Sequence, residues 1–198
     1  MSLRRGFKAE AERISIEVRT EMRLRPEDRL DPFALAKHLS VPVIGIRDAA
    51  RLVRRSDLGS YFLTEDVESL SAITLFQGRK RIVLHNDRHA ATRQASNVAH
   101  EISHCLLEHS PEPAVGPDGC RMWNREVEME AEWLGGALLM PRAGALKHAR
   151  AGLTPELIAD HFGVSLALCR WRLQHTGILS QLQRYASLRR AVRRAAAR

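Results

Sequence analysis

The residues best suited to chemistry are His100, Glu101 and His104, which form a His-Glu-x-x-His motif. On a helix, this spacing places the two imidazoles one turn apart on one face, where both can bind a single zinc ion. The glutamate between them would lie beside the metal and could take a proton from a water molecule bound there. The alternative is a surface helix that carries two histidines without a chemical role.

The apolar residues around the motif favour the metal site. Val98, Ile102 and Leu106 fall on the opposite side of the predicted helix from the two histidines. That side can pack in a core, which leaves the histidines free to face a cleft.

A catalytic zinc site needs a third protein ligand. The longer motif H-E-x-x-H-x-x-G-x-x-H requires a glycine and a histidine at positions where this chain has Leu107 and Ser110. His109 comes one residue too early and, on a continuing helix, lies about 180° from His100. We therefore expect His109 to be a helix-end or surface residue that does not reach the metal.

The next predicted helix offers four alternative carboxylate ligands, namely Glu126, Glu128, Glu130 and Glu132. Glu128 and Glu132 lie one turn apart and can both face the site, whereas the other two form a second pair on a different face. For each glutamate taken alone, a solvated helix face is the default interpretation. Cys120 is a rival ligand in the preceding loop.

Hydrophobic periodicity predicts the elements that position these residues. Helices are predicted over residues 7–24, 31–39, 90–108 and 124–139, and strands over residues 41–46, 71–76 and 81–85. The two later strands form a hairpin around a turn at residues 77–80. Residues 47–70 are interpreted as loop with some helix.

Two short helices are predicted near the C-terminus, over residues 154–162 and 166–175, around a turn at Gly163. This pattern is typical of a helix-turn-helix unit. Three side chains of the second helix could then face a DNA groove: Arg170, Arg172 and Gln174. The alternative is a helical hairpin packed on the rest of the chain, and the apolar character of the second helix favours it.

The net charge of +8 is concentrated in the last twenty of the 198 residues. Residues 179–198 contain six arginines and no acid, which leaves +2 for residues 1–178. Such a tail can bind nucleic acid or can simply be a solvated, solubilising helix end.

The cysteines and the apolar segments indicate a cytoplasmic protein. Cys105, Cys120 and Cys169 are odd in number and include no C-x-x-C pair, which argues against a disulfide scaffold and a four-cysteine zinc module. We expect no export signal and no membrane-spanning segment, and therefore no membrane partner.

Two segments together resemble the ImmA/IrrE family of zinc metallopeptidases. They are residues 97–109, NVAHEISHCLLEH, and residues 128–141, EMEAEWLGGALLMP. That family pairs an AHExxH helix with a downstream E-x-x-A-(N/D)-x-F-A-x-x-L-L-M-P helix. Residues 81–86, RIVLHN, also resemble the family's preceding strand, and the similarity covers about residues 8–178.

The resemblance implies that His100, His104 and Glu128 hold zinc, with Glu101 as the catalytic acid and base. Glu128 is implied because it lies three residues before Ala131, as the ligand glutamate does in the family. The chain departs from the pattern at Glu132, where Asn or Asp is usual, and at residues 134–136, where Leu-Gly-Gly replaces Phe-Ala-x. The first change alters the surroundings of the ligands, and the glycines loosen the helix near the site.

These observations predict an α+β protein in three parts. Residues 1–150 form a zincin-like metallopeptidase domain with helices around a small sheet, residues 151–178 a helix-turn-helix-like segment, and residues 179–198 a basic tail. Three residues are conceivable donors to the oxyanion: His85, His148 and Arg142. The strand at residues 81–86 is either an internal strand or an edge to which an extended substrate is added.

The resemblance implies a zinc endopeptidase of narrow specificity that cleaves a helix-turn-helix transcriptional repressor. The alternative function is a DNA-associated regulator or sensor in which the metal site only stabilises the fold. Glu101 favours the peptidase, because a metal-dependent scaffold needs the ligands but not the base.

Overall fold

The computed structural model describes residues 3–52, 70–77, 80–109 and 124–196. In this part of the chain there are nine helices: α1 (Phe7–Glu21), α2 (Pro32–His38), α3 (Ile46–Leu52), α4 (Ala91–Leu106), α5 (Arg125–Leu139), α6 (Arg142–Arg150), α7 (Pro155–Phe162), α8 (Leu166–His175) and α9 (Ile178–Ala196). The same residues form three strands: β1 (Val43–Gly45), β2 (Ala72–Gln77) and β3 (Lys80–His85). The mixed and mainly helical α+β class is as predicted.

Side-chain caps begin several of these helices where the sequence predicts. Asp31 accepts a hydrogen bond from the amide of Phe33, and Pro32 occupies the first position of α2. Thr154 and Ser165 cap α7 and α8 in the same way. Between these two helices the chain turns at Gly163, whose φ of 66° is strained for any residue with a Cβ.

The described strands form one small sheet in the order β1-β3-β2. β1 runs parallel to β3, and β2 runs antiparallel to it, as expected for the predicted hairpin. Residues 78–79 of the hairpin turn and residues 53–69 of the predicted loop lie outside the described residues. Because β3 is the middle strand, its backbone is paired on both sides. The possibility that residues 81–86 form an edge for a substrate is therefore wrong, and among the described strands β1 and β2 are the two edges.

Helices α1, α2, α4 and α5 share the main hydrophobic core, in which Phe7, Leu35, Ile102 and Leu134 are almost completely buried. The predicted apolar side of the motif helix faces this core, since Val98 and Ile102 have no exposed surface. The core therefore fixes α4 against α5 and turns the opposite side of α4 outwards.

Helices α6 to α9 pack on the end of α5 around a second core. Leu139 at the end of α5 and the following Met140 contribute to this core together with Phe162 and Leu173. Arg172 of α8 is completely buried and donates a hydrogen bond to the carbonyl of Met140 at 3.1 Å. Arg170 is paired with Glu156 at 2.9 Å. A DNA-facing role for Arg172 is therefore wrong, because its guanidinium is enclosed by the protein.

Two helices end earlier than the periodicity predicts. α1 ends at Glu21 because the chain reverses at Arg23, whose φ is 58°. The amides of Arg23 and Leu24 bond back to the carbonyls of Thr20 and Arg19, which is the Schellman arrangement. Helix α4 ends at Leu106 in the same way, because the chain reverses at Glu108. No helix among the described residues is long and apolar enough to cross a membrane.

Candidate metal centre

Helix α4 presents the two motif histidines side by side. The Nε2 atoms of His100 and His104 are 3.1 Å apart, as expected for residues one turn apart on one helical face. Both side chains are partly buried, with 29% and 17% of their surface exposed. Both imidazoles are therefore largely shielded from solvent but still accessible.

Helix α5 supplies the carboxylate that completes the group. Glu128 places one oxygen 3.2 Å from Nε2 of His100 and the other 3.7 Å from Nε2 of His104. The donor atoms of these three residues all lie within 4.8 Å of one another, the only such cluster in the described part of the chain. Of the four candidate glutamates the structure thus brings Glu128 to the histidines, whereas Glu126 is exposed. Cys120 lies outside the described residues.

The donor set fits a zinc ion. Two imidazoles and one carboxylate are a usual ligand set for catalytic zinc, with a fourth position left open. Bonds of 2.0–2.1 Å in a tetrahedral arrangement require donor atoms about 3.3 Å apart. The 3.1 Å between the two imidazole nitrogens and the 3.2 Å from one Glu128 oxygen to His100 are close to that value. The 3.7 Å to His104 involves the other oxygen of Glu128, so this carboxylate has to turn for one oxygen to share an ion with both histidines.

A glycine on α5 allows the two helices to approach at this point. A Cβ atom at Gly135 would lie 3.3 Å from the amide nitrogen of His100 and 3.4 Å from the carbonyl of Ala99. The neighbouring Gly136 faces α8 instead, where a Cβ would meet the side chain of Arg172 at 3.2 Å. The Gly-Gly pair therefore serves close packing on both sides of α5.

The electrostatics of the metal-free group favour a positive charge. Burial lowers the pKa of His100, but the hydrogen bond to Glu128 and the surrounding carboxylates outweigh it and raise that pKa above its ordinary value. Burial and the charge of His100 lower the pKa of His104. The hydrogen bond from His100 lowers the pKa of Glu128. The carboxylate thus stays ionised and stabilises a cation between the helices.

Glu101 lies beside this group and is held by a strand residue. Its buried position raises the pKa of the carboxyl, while a hydrogen bond from the hydroxyl of Thr74 and the charge of His100 act in the opposite direction. The Thr74 hydroxyl donates to Oε2 of Glu101. Thr74 lies in β2, 27 residues earlier in the chain, and the sequence analysis missed it because no motif connects the two segments.

His109 lies at the end of the helix, one of the two predicted places, but it is not a surface residue, since only 12% of its side chain is exposed. Helix α4 ends at Leu106, and Glu108 adopts a left-handed conformation with φ 53°. The amide of His109 then bonds to the carbonyl of His104 at 3.0 Å, and that of Glu108 to Cys105 at 3.2 Å. This Schellman arrangement folds the second residue after the helix back onto the last turn. The expectation of a 180° separation fails because the helix does not continue.

The side chain of His109 therefore contacts the Nδ1 side of the His104 ring, whereas Nε2 of that ring faces Glu128. Its Nδ1 lies 2.9 Å from Nδ1 of His104, and its Nε2 lies 3.7 Å from Glu130. Arg81 of β3 donates to the carbonyl oxygens of His104 and His109 at 3.2 and 3.5 Å. His109 does not belong to the candidate ligand cluster, as predicted.

The three candidate oxyanion donors are engaged with other parts of the fold. His85 is 7% exposed, and its ring packs edge-on against Phe33 at 5.1 Å. Arg142 donates to the carbonyl of Thr176 and to Gln181. His148 packs against the rings of two α7 residues, His161 and Phe162. None of these contacts involves the candidate ligands.

Comparison with known proteins identifies the family. The Peptidase_M78 family model, described as the IrrE N-terminal-like domain, matches residues 33–174. No curated protein matches the chain significantly. The matched span runs from α2 to α8 and includes all the residues of the candidate metal group. The chain therefore belongs to the Peptidase_M78 family of IrrE N-terminal-like domains, and the family's name implies a peptidase.

Proposed function

We propose that the chain is a zinc-dependent endopeptidase of narrow specificity. The observation that carries the proposal is the convergence of His100, His104 and Glu128 within 4.8 Å, with the buried carboxyl of Glu101 alongside. When bound there, zinc supplies a Lewis acid that polarises a peptide carbonyl and makes a water molecule acidic at neutral pH.

Glu101 is the general base and acid in this proposal. Its carboxylate takes the proton from the attacking water and delivers it to the nitrogen of the leaving amine. The hydrogen bond from Thr74 occupies Oε2 and fixes the plane of the carboxylate, which leaves Oε1 to exchange the proton. Burial raises the pKa of Glu101 above its ordinary value, and a raised pKa suits a carboxyl group that both accepts and donates a proton.

Strand β2 is suited to align the substrate. It lies at the edge of the described sheet, and three of its apolar side chains are about 40% exposed: Ile73, Leu75 and Phe76. Thr74 on the same strand contacts Glu101. An extended peptide paired with this edge would run past the catalytic carboxylate, with apolar side chains against the exposed ones.

For the substrate we propose a helix-turn-helix transcriptional repressor in the cytoplasm, as the resemblance to the ImmA/IrrE family implies. The test is to incubate zinc-loaded wild-type protein and the variant Glu101→Gln with such repressors from the source organism. We expect a single cut by the wild-type protein and none by the variant, with zinc retained by both. Equal cleavage by both, or no cleavage of any repressor by the zinc-loaded wild-type protein, would contradict the proposal.

A basic groove supports the second candidate function, a DNA-associated regulator. The groove lies between α6 and α9, has a volume of about 570 Å³ and is lined by Arg142, Arg150 and Arg184. No carboxylate occurs among the described residues that line it. Phosphate contacts made by these arginines would give salt-dependent DNA binding, and replacing Arg184 with Ala would reduce the salt slope by about 1. In this candidate, Glu101→Gln would leave function unchanged.

A further inference from the structure

We infer that His109 and Glu130 are positioning residues that fix which nitrogen of His104 faces the metal. The inference rests on the proposed function, since it concerns the orientation of one of the proposed zinc ligands. Neither residue is itself in the candidate ligand group.

A continuous chain of polar side chains runs from His104 to the start of the protein. Nδ1 of His104 and Nδ1 of His109 are 2.9 Å apart, and Nε2 of His109 is 3.7 Å from an oxygen of Glu130. The other oxygen of Glu130 accepts a hydrogen bond from Arg4 at 2.7 Å. His109 and Glu130 are only 12% and 14% exposed, so water replaces few of these contacts.

Zinc binding would determine which ring nitrogen of each of the two histidines carries the proton. Nε2 of His104 faces Glu128 and His100, so it must present a lone pair to a metal and Nδ1 must carry the proton. Two Nδ1 atoms can form a hydrogen bond only if one of them accepts, so His109 accepts through Nδ1. Its proton then lies on Nε2, directed towards Glu130, whose negative charge stabilises that tautomer.

This series of polar side chains is held in place at both ends. The Schellman turn at Glu108 brings His109 under the last turn of α4, and Arg81 binds the carbonyls of both histidines. Arg4, which also pairs with Glu10 at 2.8 Å, fixes Glu130 from the segment before α1. The orientation of His104 is therefore set with the help of three segments outside α4: β3 with Arg81, α5 with Glu130 and the segment before α1 with Arg4.

The test measures zinc affinity by competition with a chromophoric chelator, with zinc alone as the probe. His109→Phe keeps an aromatic ring but removes the acceptor, and we expect it to weaken zinc binding by about 10- to 100-fold. His109→Asn restores an acceptor oxygen at about the position of Nδ1 and should recover most of the affinity. Glu130→Gln should cause a smaller loss, whereas Glu126→Gln, one turn earlier on α5 and exposed, should cause none.

A second readout separates positioning from packing. In the zinc-loaded wild-type protein, imidazole ¹⁵N shifts should report a protonated Nδ1 on His104 and a protonated Nε2 on His109. Equal affinities for wild type and His109→Phe would overturn the inference, and so would equal losses in His109→Phe and His109→Asn. Absence of zinc binding by the wild-type protein would overturn the proposed function as well. The two failures are therefore distinguishable.

Discussion

Thr74 determines how the proposed catalytic carboxylate is held. Its hydroxyl donates to Glu101, and this hydrogen bond stabilises the ionised form of a carboxyl group whose burial favours the neutral form. At the scale of single residues, the balance between these two effects sets the pH range in which Glu101 can act as a base.

The variant Thr74→Val should therefore shift the acidic limb of the pH–rate profile to higher pH. Loss of the donor raises the pKa of Glu101 further, so a larger fraction of the protein carries a protonated base at a given acidic pH. We expect kcat/KM below neutrality to fall about tenfold, corresponding to one hydrogen bond to a charged group. Thr74→Ser keeps the hydroxyl and serves as the control. Identical profiles for Val and Ser variants would contradict this role.

His85 gives a prediction for the stability of the metal-free protein. Burial lowers the pKa of this histidine in the folded state. The unfolded chain therefore binds the proton first, and the free energy of unfolding falls as the pH drops below about 6.5. In the presence of a chelator, denaturant titrations should show that the free energy of unfolding of His85→Leu falls less between pH 7 and pH 5 than that of the wild type. Parallel curves would show that His85 does not contribute.

The residues of the site differ in how far the sequence predicts them. His100, Glu101 and His104 are evident from their spacing, because one helix fixes their relative positions. Thr74, His109 and Glu130 come together only through a strand, a reversed helix end and a second helix. No spacing rule connects these segments. The residue with positive φ at the helix end is Glu108, and a glutamate does not indicate a reversal of the chain as a glycine would.

At the scale of elements, the contact of α4 with α5 decides whether the ligands meet. Gly135 lies against the backbone of Ala99 and His100, whereas Gly136 lies against side chains of α8. Backbone atoms cannot move independently of their helix, but a long side chain can change its rotamer.

This difference predicts unequal costs for two adjacent substitutions. Gly135→Ala should push α4 away, reduce the free energy of unfolding by about 1 kcal/mol and weaken zinc binding, despite the higher helix propensity of alanine. Gly136→Ala should cost less than Gly135→Ala, because only the side chain of Arg172 has to shift slightly and the backbone of the neighbouring helix stays in place. Denaturant unfolding and chelator competition on both variants provide the check. Wild-type zinc affinity in Gly135→Ala would refute the role of this contact.

Most helices and strands follow from periodicity and capping residues, since these signals are local. The differences arise at helix ends. After both α1 and α4 the chain reverses at a non-glycine residue with positive φ, Arg23 and Glu108 respectively. A tertiary contact stabilises the turn at Glu108, since Arg81 donates to the carbonyl of His104 in the last turn of α4 and to that of His109 beyond it. The order of the strands is likewise set by tertiary pairing, which no run of residues specifies.

At the scale of the whole molecule, a buried polar network joins the first and last thirds of the chain. Arg172 of α8 pairs with Glu12 of α1, and Glu12 also accepts a hydrogen bond from the amide of Arg142 at 2.8 Å. Arg19 of α1 donates to the carbonyl of Leu138 at 2.6 Å. The end of α5 is thereby tied to helices on both sides of it, although α1 precedes the span that the family model matches.

Removing one partner of this network should be costly. Arg172→Met leaves the partly buried Glu12 without its main counter-charge, and we expect the free energy of unfolding to fall by about 3 kcal/mol. Arg170→Met removes only a pair exposed to solvent and should cost about 0–1 kcal/mol. Urea titrations of the two variants measure both values. A difference below about 1 kcal/mol would contradict the network's contribution to stability.

Zinc stoichiometry after metal loading and desalting shows whether His100, His104 and Glu128 together hold one zinc ion. The measurement compares wild type, Glu128→Ala and Glu126→Ala, since these two glutamates lie on one helix but only Glu128 contacts the histidines. We predict one zinc per chain in wild type and Glu126→Ala, with a raised unfolding temperature, and no stoichiometric zinc in Glu128→Ala. A wild-type protein without zinc, or full retention of zinc by Glu128→Ala, would show that these three residues do not form the zinc site.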